Sequence, residues 1–270
     1  MKKTTIIGDI HGALSPLKAL IAKLDLQPGD HLLLVGDLVD KGPEPAGVVR
    51  LLRELSETAP FRVTLIEGNH EDRHRRYHIN TEIRPKIARE MAEAAPHLSA
   101  LDAELSAEDR AFLADAVPFL HLPDWNVLVV HGGIPGDMET FPETPAELDA
   151  LSKRQRDKFL RIQRTRFLDA VTGKFLKLGD NTPVDPFWAE TYDGRFGHVV
   201  FGHQPWRGGP ACFAHATGID TGAVHGGGLT ALVLPAEGKA HFVTVPSESH
   251  TPFHEGEMPP HPGGALNLTR

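Results

Sequence analysis

The chain has 270 residues, enough for one large domain or two small ones, and its 40% apolar content suffices for a sizeable core. A formal net charge of −8 argues against broad binding to phosphate backbones and leaves nucleic acid only local contacts. The opening MKKTTIIGDIHG breaks at Gly8 and Asp9, too early for a leader core, no run reaches the ~20 apolar residues of a membrane span, and the single cysteine, Cys212, fits a reducing cytoplasm. A cytoplasmic location without a membrane partner is therefore expected, with Cys212 an ordinary small apolar residue.

The first seventy residues alternate between strand and helix. A strand is expected at about 3–8, a helix opened by Ser15 as N-cap and Pro16, a strand near 31–35, a helix near 45–55 and a strand near 61–66. Leu17, Leu20, Ile21 and Leu24 form the inward stripe of the first helix. This βαβαβ order predicts a parallel sheet covered by helices. Residues 71–116 read as a helical insertion, with Ser106 capping an acidic first turn, before β character returns at NVLVVHGG. A charged helical segment is expected over 146–170, followed by strands at HVVFGH, LTALVL and HFVTV. One domain then spans 1–246, and 247–270, rich in Pro, Gly and Ser, is expected to be a loosely ordered tail whose His250, His254 and His261 are solvated.

The polar residues at the strand ends repeat one pattern. GDIHG puts Asp9 and His11 after the first strand, GDLVDKGP puts Asp37 and Asp40 after the second, and EGNHE puts Asn69 and His70 after the third. LVVHGG and VVFGH repeat it with His131 and His203. The carboxyl edge of a parallel sheet is where such loops converge. Any one of these residues alone would read as a cap or a turn residue. Six together, Asp9, His11, Asp37, Asn69, His131 and His203, are oxygen and nitrogen donors without sulfur, which suits two divalent ions: manganese first, or iron, zinc, cobalt or nickel, over calcium or magnesium. A simple apportioning gives Asp9 and His11 to one ion and Asn69, His131 and His203 to the other, with Asp37 between them.

In order, these motifs resemble those of the calcineurin-like metallophosphoesterases, and more narrowly the phosphoprotein phosphatase type, from residue 6 to about 234. The resemblance implies a four-layer α/β/β/α sandwich of two mixed sheets around a dinuclear centre with the same six ligands. It adds His70 as the acid that protonates the leaving oxygen and Asp40 as the carboxylate that orients it, in a direct displacement by water. It also marks a departure. Lys41 stands where phosphoprotein phosphatases usually have Arg, and an ammonium cannot grip two phosphate oxygens with a planar fork. Arg195 is the candidate for a second phosphate clamp, with Arg73 and Arg207 as competitors.

The intact Asp40 and His70 favour a serine/threonine-type phosphomonoesterase acting on a phosphorylated protein or a small phosphate. GIDTGAVHGGGLTALVLP, residues 218–235, and Lys41 instead resemble bacterial dinucleoside tetraphosphate hydrolases and their ApaH-like relatives, which makes hydrolysis of a dinucleoside polyphosphate the alternative. A binding module without turnover would lack a ligand or the acid, and none is missing. The seven basic residues in 152–166 read as a solvated helix face or a receiver of distal phosphates, and Trp188, Tyr192 and Trp206 as core or as a surface for base stacking.

Overall fold

The structure is a computed structural model that describes residues 2–253 and 259–268, so His254 lies outside the described residues. The chain begins as its apolar pattern predicts, with β1 (Thr4–Ile7), α1 (Leu14–Leu24), β2 (His31–Leu34), α2 (Pro45–Thr58) and β3 (Arg62–Leu65). β1 pairs in parallel with β2, and β2 with β3. Ser15 is not the N-cap of α1. The chain leaves the left-handed turn at His11 and Gly12 straight into the helix, so Ala13 takes the cap position and no side chain caps it.

Four helices follow: α3 (Asn69–Ile83), α4 (Pro85–Ala94), α5 (His97–Glu104) and α6 (Ala107–Ala114). Ser106 caps α6 as expected, its hydroxyl accepting from the Asp109 amide. The second sheet is built from β4 (Phe119–Leu122), β5 (Val127–Val130), β6 (His198–Phe201), β7 (Ala211–Cys212) and β8 (Ala216–Gly218). The chain then returns to the first sheet with β9 (Gly228–Leu234), antiparallel to β1, and β10 (His241–Pro246). The strand orders are β10-β9-β1-β2-β3 and β4-β5-β6-β8-β7, so both sheets are mixed.

Strand alternation sorts the side chains into three apolar layers. Ile7, Leu32, Leu34, Ala231 and Val233 pack outward against Leu17 and Leu20 of α1 and Val48, Val49 and Leu52 of α2. Ile6, Leu33, Val35 and Leu232 face Val127, Val129 and Val200 between the sheets. Leu128, Val130, Val199 and Phe201 face a third layer rich in aromatic rings, with Phe159, Phe187, Trp188 and Trp206. The result is the four-layer sandwich. Trp188, Tyr192 and Trp206 belong to this third layer, at 0%, 6% and 1% exposure, so the stacking role is ruled out: each ring fills core behind β6.

The charged stretch expected as one helix over 146–170 breaks into a 3₁₀ turn at Pro145–Ala150, α7 (Lys153–Phe159) and a second 3₁₀ turn at Leu160–Gln163. Its break is dictated by packing: Phe159 and Ile162 both turn into the aromatic layer. After Pro246 no further strand or helix occurs among the described residues, yet Leu266 and Leu268 pack between the sheets.

Candidate metal centre

The loops after β1, β2, β3, β5 and β6 meet where the two sheets face each other. Their backbones are unusual: His11, Asp37, Asp40, Lys41 and His203 all have positive φ, between 46° and 67°, a region that side chains other than glycine seldom adopt. Two close approaches also demand glycine. A Cβ on Gly202 would come within 2.0 Å of Asp9 Oδ1, and one on Gly68 within 2.3 Å of Asp37 Oδ1.

All six expected donors are brought together. The Nδ1–H groups of His11 and His131 donate to the carbonyls of Val39 (2.8 Å) and Val35 (2.9 Å), which leaves each Nε2 as a lone pair aimed at the cluster. His131 Nε2 lies 3.1 Å from Asn69 Oδ1 and 3.3 Å from Asp37 Oδ1. His11 Nε2 lies 3.6 Å from Asp37 Oδ2 and 3.9 Å from Asp9 Oδ2. The His203 ring is 5.1 Å from that of His131, and its amide donates to both oxygens of Asp9 at 3.1 Å. Lone pairs of nitrogen and oxygen thus face one another with the ring protons of His11 and His131 already committed elsewhere, an arrangement that a cation resolves. The Lys41 ammonium partly does so, donating to His11 Nε2 at 2.9 Å.

The electrostatics agree. Burial, then Asp220 and Asp37, raise the Asp9 pKa well above the usual carboxylate range. Burial alone would raise Asp37 too, but the facing imidazoles, His131 first, pull it well below that range. Burial holds His11 and His203 well below the ordinary imidazole value, assisted by Lys41 at His11 and by Arg166 at His203. Both rings are therefore neutral, the form that binds metal. A shared carboxylate flanked by neutral imidazoles, with Asn69 alongside, fits a pair of divalent ions.

Beside this centre, His70 Nδ1 donates to Asp40 Oδ2 at 2.5 Å, and its Nε2 side lies 3.8 Å from Asp37 Oδ2. Burial would lower the pKa of His70, but Asp37 and the hydrogen bond to Asp40 outweigh it and raise it. Asp40 behaves in the opposite sense: burial pushes it up, and hydrogen bonds from His70 and His74 hold it well below the usual range.

Four contributors were absent from the sequence reading. His74, one helical turn after His70 on α3, donates from Nε2 to Asp40 Oδ1 at 2.7 Å, and its spacing of four was the available signal. Glu71 accepts from the amides of Asp37 (2.7 Å), Leu38 (2.8 Å) and Gly68 (3.0 Å), tying the β2 loop to the start of α3. Asp220 follows β8 much as Asp9 follows β1, and it is buried near Asp9. Arg166 donates to the His203 carbonyl at 2.8 Å, a contact that no motif announces.

The phosphate-clamp candidates separate. Lys41 touches the donor cluster. Arg195 is exposed and bonds Asp193 at 2.9 Å, and none of its contacts is with the donors. Arg207 lies over the Phe253 ring, whereas Arg73 lines a cleft together with His70, Asp40 and Lys41. The basic stretch is largely committed, Arg156 to Asp149, Lys158 to Asp137 and Arg164 to Asp72. Cys212 is buried, as expected, and burial raises its thiol. Among the described residues no helix is long and apolar enough to cross a membrane.

Fold and donor geometry together define a metallophosphoesterase, and the sequence comparison agrees: the calcineurin-like phosphoesterase profile matches residues 2–220, and the chain belongs to that family. It is accordingly a metal-dependent phosphoric ester hydrolase, and membership implies a dinuclear divalent-metal site. The bis(5'-nucleosyl)-tetraphosphatase PrpE (asymmetrical) of Halalkalibacterium halodurans is 33% identical to it, over 90% of this chain and 93% of the relative. The protein of the same name from Oceanobacillus iheyensis is 28% identical, over 91% and 92%. In fold, the chain is similar to a protein serine/threonine phosphatase from Saccharomyces cerevisiae, with a TM-score of 0.60 and 17% identity over 93% of this chain and 81% of that one.

These similarities overturn the expectation of a serine/threonine phosphomonoesterase. The near-full-length sequence relatives are tetraphosphatases, and the serine/threonine phosphatase shares the fold alone. The physical reason lies in the motifs. Asp40 and His70 deliver a proton to a leaving oxygen whether the bond is an ester or an anhydride, so their presence does not choose between the substrates.

Proposed function

We propose that the chain hydrolyses dinucleoside tetraphosphates asymmetrically, to a nucleoside triphosphate and a nucleoside monophosphate. The observation that carries this is the similarity, across nine-tenths of both chains, to two proteins of that named activity. Asp9 and His11 are assigned to one ion, Asn69, His131 and His203 to the other, and Asp37 to both. Manganese suits a donor set of carboxylate, amide and imidazole without sulfur. When bound, the ions supply Lewis acidity to the scissile phosphate and lower the pKa of water.

The remaining chemistry belongs to the side chains. His70, its pKa raised by Asp37 and Asp40 and its ring oriented through Nδ1 by Asp40, gives its Nε2 proton to the oxygen that leaves. His74 holds the other oxygen of Asp40, so the carboxylate has one orientation available to His70. Lys41 neutralises a phosphate oxygen as a point charge, which suits a row of phosphates better than one dianion. An oxygen of water bonds to phosphorus, the bridging P–O bond breaks, and its electron pair stays on the departing phosphate.

The test is chromatographic. The metal-loaded protein incubated with diadenosine tetraphosphate should yield ATP and AMP in equal amounts, with kcat/KM on the order of 10² or more above that for a phosphoserine peptide. Two equivalents of ADP would refute the asymmetry. Phosphate release from the peptide without tetraphosphate turnover would refute the substrate class.

A further inference from the structure

A cleft of about 540 Å³ opens directly from His70 and Asp40, between the β2 loop and α5. Its walls carry Lys41, Arg73 and His97, its apolar floor includes Ala100 and Leu101, and Glu104 lies at one edge. The C-terminal segment closes one side, with the Thr251 hydroxyl donating to the Lys41 carbonyl at 3.1 Å. Arg73 has no hydrogen bond or ion pair among the described residues, although Arg75 and Arg76 on the same helix are both bound to Asp72. Of the two acids in its lining, Asp40 is held by His70 and His74. The cleft thus carries two permanent cations, Lys41 and Arg73, and one of them is a guanidinium without a hydrogen bond or ion pair among the described residues.

Position gives this cleft its meaning. An acid must stand beside the oxygen it protonates, so whatever leaves from the reacting phosphorus lies on the His70 side. We propose that this cleft receives the leaving group, and that the leaving group is the nucleoside triphosphate, with Arg73 gripping its phosphates beyond the scissile bond. The assignment rests on the tetraphosphatase reading above. A monophosphate leaving group would bring one phosphate to the cleft, whereas a triphosphate brings three and uses Lys41 and Arg73 together. In this orientation the oxygen of water bonds to the α-phosphorus of one nucleotide and gives up a proton to solvent, the bond from that phosphorus to the bridging oxygen breaks, and the electron pair and the His70 proton go to the oxygen on the β-phosphate. The incoming oxygen ends in the monophosphate.

Hydrolysis of diadenosine tetraphosphate in ¹⁸O-water therefore decides the orientation. Label in AMP, found by mass spectrometry, is expected, and label in ATP overturns the proposal without any variant. Arg73→Ala tests the grip: it should raise the inhibition constant of ATP about tenfold while that of AMP changes less, and lower kcat/KM for the tetraphosphate at least tenfold more than for p-nitrophenyl phosphate, whose leaving group has no phosphate. Arg73→Lys should recover part of the loss. Equal losses on both substrates would make Arg73 a clamp on the reacting phosphate instead and overturn its assignment here. If wild type hydrolyses p-nitrophenyl phosphate and no tetraphosphate, the function proposed above falls, while ATP against AMP inhibition of that turnover still decides what the cleft holds.

Discussion

Glu71 offers no lone pair to the donor cluster, yet three backbone amides around that cluster depend on it. Its two oxygens accept only from N–H groups, of Asp37, Leu38 and Gly68, so the ionised form satisfies all three and a protonated form cannot. Burial, and then the charge of Asp37, push its pKa up to about 7. Glu71→Gln is a permanent copy of the neutral acid: with its oxygen kept on the Asp37 and Gly68 amides, its NH₂ would face the Leu38 N–H and push that backbone away. The variant should fold, keep every proposed ligand, and bind manganese about tenfold more weakly, the lower end of what partners behind a ligand usually contribute. Titration against a competing chelator measures this. Wild-type affinity in Glu71→Gln would mean that the two loops hold their places without it.

At the scale of elements, β2 and β6 begin alike. His31 opens β2 and bonds the Thr64 hydroxyl of β3 at 2.9 Å, and His198 opens β6 and bonds the Thr217 hydroxyl of β8 at 2.8 Å. Burial, with Arg62 beside the one and His215 beside the other, lowers both rings to about 4. The unfolded chain, with its histidines near ~6.5, binds more protons than the folded one between pH 4 and 6.5. Stability is therefore complete above that window and falls as the pH drops through it. Both rings are partly exposed, so solvent screening reduces each contribution to about 1 kcal/mol. Thermal melts of metal-free protein should lose several degrees between pH 7 and 5, and His31→Gln with His198→Gln, which keeps a donor for each threonine, should flatten that slope. An unchanged slope would assign the acid sensitivity to other groups.

The same elements explain how far the chain could be read without coordinates. The six donors were readable because each follows an apolar strand, and strand ends are fixed by strand pairing. Direction within the strands was not. Ile6 and Ile7, or Leu32 and Leu33, are apolar on both faces because both faces are covered, so alternation could not say which side met the other sheet. Arg195 was one of three arginines that sequence alone could not rank as a second clamp, and its bond to Asp193, two residues away, is visible only in three dimensions. The substrate was misread for a different reason. The cleft proposed to hold part of it is formed by the β2 loop, α5 and Thr251, far apart in sequence, whereas the motifs encode chemistry common to esters and anhydrides.

For the molecule as a whole, the donor cluster is the polar continuation of the apolar layer between the sheets. Asp9 and Asp37 come from the first sheet, His131 and His203 from the second, and the His203 amide already crosses the gap to Asp9. Without cations, the facing lone pairs and the carboxylates of Asp9, Asp37 and Asp220 push the sheets apart at this end, while Ile6, Leu33, Val129 and Val200 hold them together behind it. Ions bound here act on the joint between two halves, so loading should raise the stability of the entire fold. At a free metal concentration of 100 times Kd, linkage gives about 2.7 kcal/mol for each ion, so a pair raises Tm by roughly 10–20 °C in a chain of this size. Calorimetry of chelator-stripped and manganese-reloaded protein measures the shift. Val200→Ala removes packing at the same joint and should lower both melts together, leaving their difference intact, whereas Asp37→Ala should abolish the difference. If Asp37→Ala keeps the wild-type difference between stripped and reloaded melts, the shared role of Asp37 is wrong.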